Sequence, residues 1–253
     1  MATVTDDLGA SLPGAGPRRR VVSLVPSLTE AVAATRREAL VGATSYCTHP
    51  PDLDVPRVRG TKNPDVAAVV ALRPDLVIAN KEENRRRDVE RLRAAGVPVW
   101  VTDIETVEQA LRSLRRLFTL ALGWPVPAWL AAVEREWADP VPVGTLRAAV
   151  PVWRDPWMAV GSHTFTGDLL RCLGIGNVLA DSPHRYPHVS VDELVELRPE
   201  VVLLPDEPYP FSAHDGPEAF PGLRCALVEG RALTWYGPSL LTARDVVAAA
   251  LAT

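Results

Sequence analysis

Aromatic side chains with a flat, exposed-capable face recur at the ends of short apolar runs and in proline-bearing loops: Tyr46, Trp100, Trp153, Trp157, Phe165, Tyr186, Tyr209, Phe211, Trp235 and Tyr236. Rings at such positions can stack on an extended ligand and bury much apolar area. Trp153, Trp157 and Tyr209 are the stronger candidates. Trp129 and Trp137 fall on a helical stripe and read as core. Arg154 lies between two tryptophans in Trp153-Arg-Asp-Pro-Trp157. A guanidinium placed there could fork onto a carboxylate or phosphate.

The chain has five histidines. His163 falls in Gly161-Ser-His-Thr-Phe165, a loop running into a helix, and His49 follows Tyr46 and Cys47 in a loop closed by proline. A neutral imidazole at either place could ligate the metal of a bound chelate. A hydrogen-bonded loop histidine is the plainer reading, because a lone histidine makes no metal site. His184 and His188 have H-x₃-H spacing, but Pro187 breaks the helix such a pair needs. Asn80-Lys-Glu-Glu-Asn84 follows an apolar strand, which puts Asn80 and Glu82 at its carboxyl end. Ser27, at a helix start, and Glu207, in the loop before Tyr209, complete the candidate ligand contacts.

Enzyme signatures are sparse. There is no G-x-S-x-G elbow, P-loop, G-x-G-x-x-G or H-E-x-x-H. Cys47 and His49 two residues apart in a loop are poor evidence for a nucleophile and its base, which are recognised by spatial geometry. Catalysis by Cys47, His49, Glu82, His163 or Asp206 is therefore the alternative to simple binding, not the first reading.

Composition sets the bounds. In 253 residues, 47% are hydrophobic and 23% charged, which excludes general disorder. A net charge of −4 argues against nucleic acid as a partner, since phosphate neutralisation needs a basic face. No apolar run approaches the length of a membrane span, so no membrane insertion is expected. Three cysteines, far apart and never C-x-x-C, give neither a disulfide framework nor a zinc ribbon. Residues 1–17 lack the charged start and apolar run of a secretory signal. The expectation is a cytoplasmic protein.

These residues need elements to hold them. Short apolar strands alternate with amphipathic helices from Val21 onward, the pattern of an α/β fold. Strands are expected at Val21–Val25, Leu40–Thr44, Asp75–Ala79 and Val97–Thr102, and a helix from Asn84 to Ala95 stopped by Gly96. Val107, Ala110, Leu111, Leu114, Leu117, Phe118, Ala121 and Leu122 keep the i, i+3, i+4, i+7 spacing of one long amphipathic helix. Val66-Ala-Ala-Val-Val-Ala-Leu-Arg-Pro-Asp-Leu-Val-Ile-Ala79 then repeats as Val191-Asp-Glu-Leu-Val-Glu-Leu-Arg-Pro-Glu-Val-Val-Leu-Leu204. One unit used twice around a mid-chain helix predicts two Rossmann-like lobes. The expected organisation is a disordered leader over 1–18, an α/β lobe over 19–104, a backbone helix over 105–138 and a second α/β lobe over 139–253. Such folds bind ligands beyond the carboxyl ends of their strands.

Val22-Ser-Leu-Val-Pro-Ser-Leu-Thr-Glu30, Tyr46-Cys-Thr-His-Pro-Pro51, both Leu-Arg-Pro-Asp/Glu strands and Trp153-Arg-Asp-Pro-Trp-Met-Ala-Val-Gly161 resemble the periplasmic-type binding proteins with a helical backbone. The resemblance covers roughly residues 19–250 and is greatest to the cobalamin-binding group. It implies a two-lobed receptor with a rigid interlobe helix. Its ligand would be a corrinoid, haem or ferric siderophore held in the interlobe cleft, with no cofactor required. It also implies docking on an importer through an acidic residue on each lobe. The second lobe offers Asp192 or Glu193, but the first offers Ala67 and Ala68, so importer docking is not expected.

Overall fold

The computed structural model describes residues 3–14 and 16–252. The chain divides into two compact units. The first comprises residues 1–104, 109–133 and 236–238; the second comprises 105–108, 134–235 and 239–253.

In the first unit, β3 (Val21–Ser23), β4 (Leu40–Ala43), β7 (Leu76–Asn80) and β8 (Val99–Thr102) form a parallel sheet in the order β4-β3-β7-β8. The strands are short and largely buried, mostly apolar with a polar residue at the carboxyl end of three of them, as a sheet covered on both faces requires. Helices α1 (Pro26–Arg36), α2 (Val66–Ala71) and α3 (Arg86–Ala94) connect them. Val22, Leu24, Val77, Leu92, Val99 and Val101 make the core between sheet and helices. Gly96, at φ 80°, ends the helical segment as the sequence predicts. A two-rung hairpin of β5 (Arg59–Gly60) and β6 (Asn63–Pro64) lies between β4 and α2.

The expected disordered leader is folded where it is described. β1 (Thr3–Thr5) and β2 (Ser11–Pro13) pair antiparallel, and Leu12 is buried. The reason lies in two acids. Asp6 is buried and accepts from the N–H groups of Leu8, Ala10 and Val101 and from Arg93 Nη2 at 2.8 Å. Asp7 accepts from Asp103 N–H, Ser113 and Arg116, while its own N–H donates to Val101 C=O. Composition alone hides such long-range partners. Met1, Ala2 and Ala15 lie outside the described residues.

The mid-chain helix forms as its spacing predicts. α4 (Val107–Arg116) continues into a π-helical turn, Leu117–Ala121, and Gly123 follows at φ 66°. Val107, Ala110, Leu114, Leu117, Phe118, Ala121 and Leu122 are all buried. The division between the units runs through its first turn. α5 (Ala128–Glu136) follows, with Trp129 edge-on to Phe118 at 5.7 Å and bonded to Thr35.

In the second unit, β9 (Arg147–Ala149), β12 (Gly176–Asn177), β13 (Val201–Pro205) and β14 (Cys225–Val228) form a parallel sheet in the order β12-β9-β13-β14. Helices α6 (Phe165–Cys172), α7 (Val191–Glu196), α8 (Gly230–Thr234) and α9 (Ala243–Ala252) accompany it. The hairpin β10 (Pro151–Trp153) and β11 (Met158–Ala159) rises directly after β9.

The sequence repeat is a structural repeat. Asp65 caps α2 through Ala68 N–H, and Ser190 caps α7 through Glu193 N–H with Glu193 closing the box. Arg73 and Arg198 both take a left-handed turn, at φ 47° and 53°. Asp75 then accepts from the N–H groups of Arg19 and Arg20 before β3, as Glu200 accepts from Arg147 N–H at β9. Each acid ties the new strand to the start of its neighbour.

Candidate functional site

In a parallel sheet the loops after the strands gather at one edge, which is where such folds hold ligands. In the first unit that edge carries Ser27 after β3, Tyr46 to His49 after β4, and Lys81 to Asn84 after β7. Tyr46 is 66% exposed and its ring lies against Gly60 of the β5–β6 hairpin, where a Cβ would meet it at 3.1 Å. His49 is half-buried, with Nδ1 3.1 Å from the Thr48 hydroxyl. Glu82 is half-buried, and its carbonyl accepts from Lys62.

Several expected ligand contacts of this unit serve the fold instead. Cys47 is buried with Sγ 3.0 Å from Thr29 Oγ1 and 3.1 Å from Thr44 Oγ1. Burial pushes its thiol up, against the lowered pKa a nucleophile needs. Asn80 is buried, donating to Thr102 and accepting from the N–H groups of Glu82 and Glu83. Ser27 is buried, and Tyr236 is buried with its hydroxyl 3.5 Å from Glu83 Oε1. These side chains shape the edge without presenting themselves on it.

The second unit gathers more. The β10–β11 hairpin and the loop after β13 bring together Trp153, Trp157, Tyr209, Phe211 and Phe220. Trp157 stacks on Phe211 at 5.8 Å with planes 9° apart and meets Phe220 edge-on at 5.3 Å. Tyr209 meets Trp153 edge-on at 5.7 Å and Phe211 at 4.6 Å. Trp157 and Tyr209 are half-buried, whereas Trp153 is 43% exposed. The cluster is thus a supported platform with one open indole.

Arg154 is engaged by carboxylates of its own unit. It does not offer a free fork, because Nη1 is paired to both Asp215 and Glu218 while the guanidinium lies 5.3 Å over the Trp157 ring. Tyr209 donates to the other oxygen of Asp215 at 2.7 Å, a bond that holds its hydroxyl above the usual phenol range. The arginine fastens the hairpin to the loop after β13.

Glu207 is half-buried, and Thr234 donates to it at 3.4 Å. Burial raises its carboxyl, with a hydrogen bond from Trp235 pulling the other way. Trp235 and Phe165 are buried. Tyr186 is half-buried in the loop between β12 and α7. His163 stands apart: its side chain is 77% exposed, its φ is 51°, and Nδ1 lies 3.9 Å from Glu105 Oε2. Glu105, Arg185, Asp215 and Glu218 carry much of this geometry and were not legible in the sequence. Only the proline and glycine of Asp215-Gly-Pro-Glu218 hint at a turn that could return both acids to one place. Among the described residues, no three His, Cys, Asp or Glu side chains converge as a metal site.

Residues 21–119 match the sequence profile of the family described as periplasmic binding protein. The vitamin B12-binding protein of Pectobacterium carotovorum subsp. carotovorum (strain PC1) is 26% identical over 200 residues, covering 75% of this chain and 72% of its own length. The periplasmic vitamin B12 binding protein BtuF of Vibrio cholerae superposes with a TM-score of 0.73 at 20% identity, over 94% of this chain and 98% of that one. The apo periplasmic heme-binding protein RhuT from Roseiflexus sp. RS-1 gives 0.75 at 23% identity, over 93% and 98%. The chain is similar, in sequence and in fold, to the helical-backbone periplasmic-type binding proteins. This receptor fold, with two α/β units and a mid-chain helix, is the one its repeat and motifs predict. Among the described residues, no helix is long and apolar enough to cross a membrane.

Proposed function

We propose that the protein binds a corrinoid or a related metal chelate, such as haem or a ferric siderophore. The observation that carries this reading is the platform of the second unit. An exposed indole, Trp153, stands on Tyr209 and is braced by the Arg154–Asp215–Glu218 clamp at the carboxyl edge of the sheet. Flat conjugated ligands match such a face. The names of its relatives supply the ligand class, vitamin B12 and heme. Catalysis has less support, since Cys47 is enclosed with its thiol raised by burial.

Titration with cobalamin, cobinamide and haemin should quench tryptophan fluorescence saturably. Trp153→Ala should weaken binding by about 10-fold, the effect of losing one stacked aromatic. Absence of quenching and of heat with all three chelates would remove the ligand class.

The proposed setting is the cytoplasm, without an importer partner. Cys47, Cys172 and Cys225 are free thiols, which suits a reducing compartment. α2 carries Ala67 and Ala68 where α7 carries Asp192 and Glu193, and the Glu193 carboxylate is already engaged by Ser190. A rim charge steers encounter and fixes register, so a surface lacking one acid would dock weakly. Recovery of a tagged chromosomal copy outside the cytoplasmic membrane, bound to a permease, would defeat this part of the reading.

A further inference from the structure

We propose that β14, an outer strand of the second sheet, is a dimerisation edge that pairs antiparallel with β14 of a second copy of this chain.

Main-chain accounting singles the strand out. Val202 N–H donates to the Arg224 carbonyl at 2.8 Å and Asp206 N–H to the Val228 carbonyl at 3.2 Å, so these residues of the β14 segment face β13. Alternate residues turn their main-chain groups to opposite sides, which directs N–H and C=O of Cys225 and Leu227 away from the sheet. Among the described residues, nothing in the chain bonds to those outward groups. Other outer strands are closed. β12 turns back on itself, with Ala180 N–H on the Asn177 carbonyl. β4 is flanked by residues 56–58, through Ala43 N–H to Pro56 C=O and Val58 N–H to Ala43 C=O.

The side chains do not guard the edge either. Outer strands are ordinarily protected by a proline, a charge or a bulge. β14 reads Cys-Ala-Leu-Val and pairs with β13 in unbroken register. Leu227 is 42% exposed. Only the shortness of the strand limits what it can bind.

A second copy fits this edge better than a foreign peptide. β14 carries no charged residue to select one peptide over another, whereas its own geometry is self-complementary. About a two-fold axis at Ala226, Cys225 of one copy stands opposite Leu227 of the other, and each such pair exchanges both main-chain bonds. Every outward N–H and C=O is then satisfied. Each Leu227 side chain meets Cys225 of the other copy on the same face. The flanking charges set the direction. Arg224 precedes the strand and Glu229 follows it, and the Arg224 guanidinium is held by the Leu251 carbonyl with no carboxylate partner among the described residues. Antiparallel pairing brings the basic end of one copy to the acidic end of the other, whereas parallel pairing sets like beside like. The contact is small, well under the roughly 1,200 Å² of a stable interface, so the dimer is reversible and concentration-dependent. Because the joined strands run in opposite directions, the carboxyl edges of the two sheets point apart.

Sedimentation equilibrium of the full chain under reducing conditions should show monomer giving way to dimer between about 1 µM and about 1 mM. The Cys225 and Leu227 amides should exchange freely when dilute and at least about 10-fold more slowly when concentrated. Leu227→Pro removes only an outward N–H, where an edge strand tolerates proline, and should weaken the dimer at least about 10-fold. Leu227→Lys keeps the backbone donor and should do the same by placing a charge on the edge. Leu120→Lys, at an exposed leucine outside any strand, should leave association unchanged. A monomer at every concentration overturns the proposal. So does a dimer whose affinity survives both Leu227 substitutions, or one in which the two amides stay unprotected.

Discussion

Glu207 shows how a single side chain can set a pH dependence. Burial raises its carboxyl above the usual range, so the folded protein holds this proton more tightly than the unfolded chain does. Stability from this group is therefore greatest below the ordinary glutamate pKa and declines as pH rises through the window up to the raised value. Glu207→Gln, which keeps an acceptor for Thr234 and Trp235, should flatten that decline and raise the melting temperature at pH 8 relative to pH 5. An unchanged pH profile by thermal denaturation would refute it. Cys47 offers a second check. Enclosed by Thr29 and Thr44, it should resist alkylation in the native protein at pH 8 and react on unfolding, as mass mapping of the modified peptide would report. The aromatic cluster was legible at this scale because Trp157 and Tyr209 sit beside prolines that force loops and Trp153 lies between two prolines of the same segment. The fate of Arg154 was not, because its partners lie about 60 residues downstream and only the folded hairpin brings them within reach.

Among the elements, the two Leu-Arg-Pro-acid junctions were the most readable feature, because capped helix, proline and buried strand follow one another in both copies. Their acid's role needed coordinates. Asp75 accepts from two backbone N–H groups and Glu200 from one, and neither bond leaves a trace in periodicity. Asp75→Ala, which gives the exposed N–H groups of Arg19 and Arg20 back to water, should cost about 1–2 kcal/mol, and Glu200→Ala about half that, measured by denaturant unfolding. The opposite sign is expected one turn earlier. Arg73 and Arg198 hold left-handed backbone that glycine takes without strain, so Arg73→Gly and Arg198→Gly should each be neutral or stabilise by up to ~1 kcal/mol. A loss of more than ~1 kcal/mol in either would show that the side chain matters more than the turn.

At the scale of the whole chain, the α/β class, the repeated unit and the mid-chain helix all followed from patterns that survive without tertiary knowledge. The N-terminal hairpin did not. Glycine, proline and acid in residues 1–17 read as solvated, whereas Asp6 and Asp7 find their arginines nearly the length of a lobe away. Asp6→Ala strands Arg93 and three backbone bonds together, and should cost about 2–4 kcal/mol. Ser11→Ala, a change at an exposed position of the same segment, would give less than ~0.5 kcal/mol. Equal effects in chemical denaturation would contradict the hairpin's anchoring.

That hairpin also decides what the first sheet shows to other molecules. β8 is an outer strand, and the N–H and C=O of its Val101 are both taken by residues 6 and 7. Arg93 covers the Val99 carbonyl beside them. A protein begun at Arg19, the start of its family resemblance, would lay this strand bare as a template for pairing with a second copy. Such a truncation would self-associate through β8 before its ligand site was harmed, and light scattering would register the loss earlier than a binding assay.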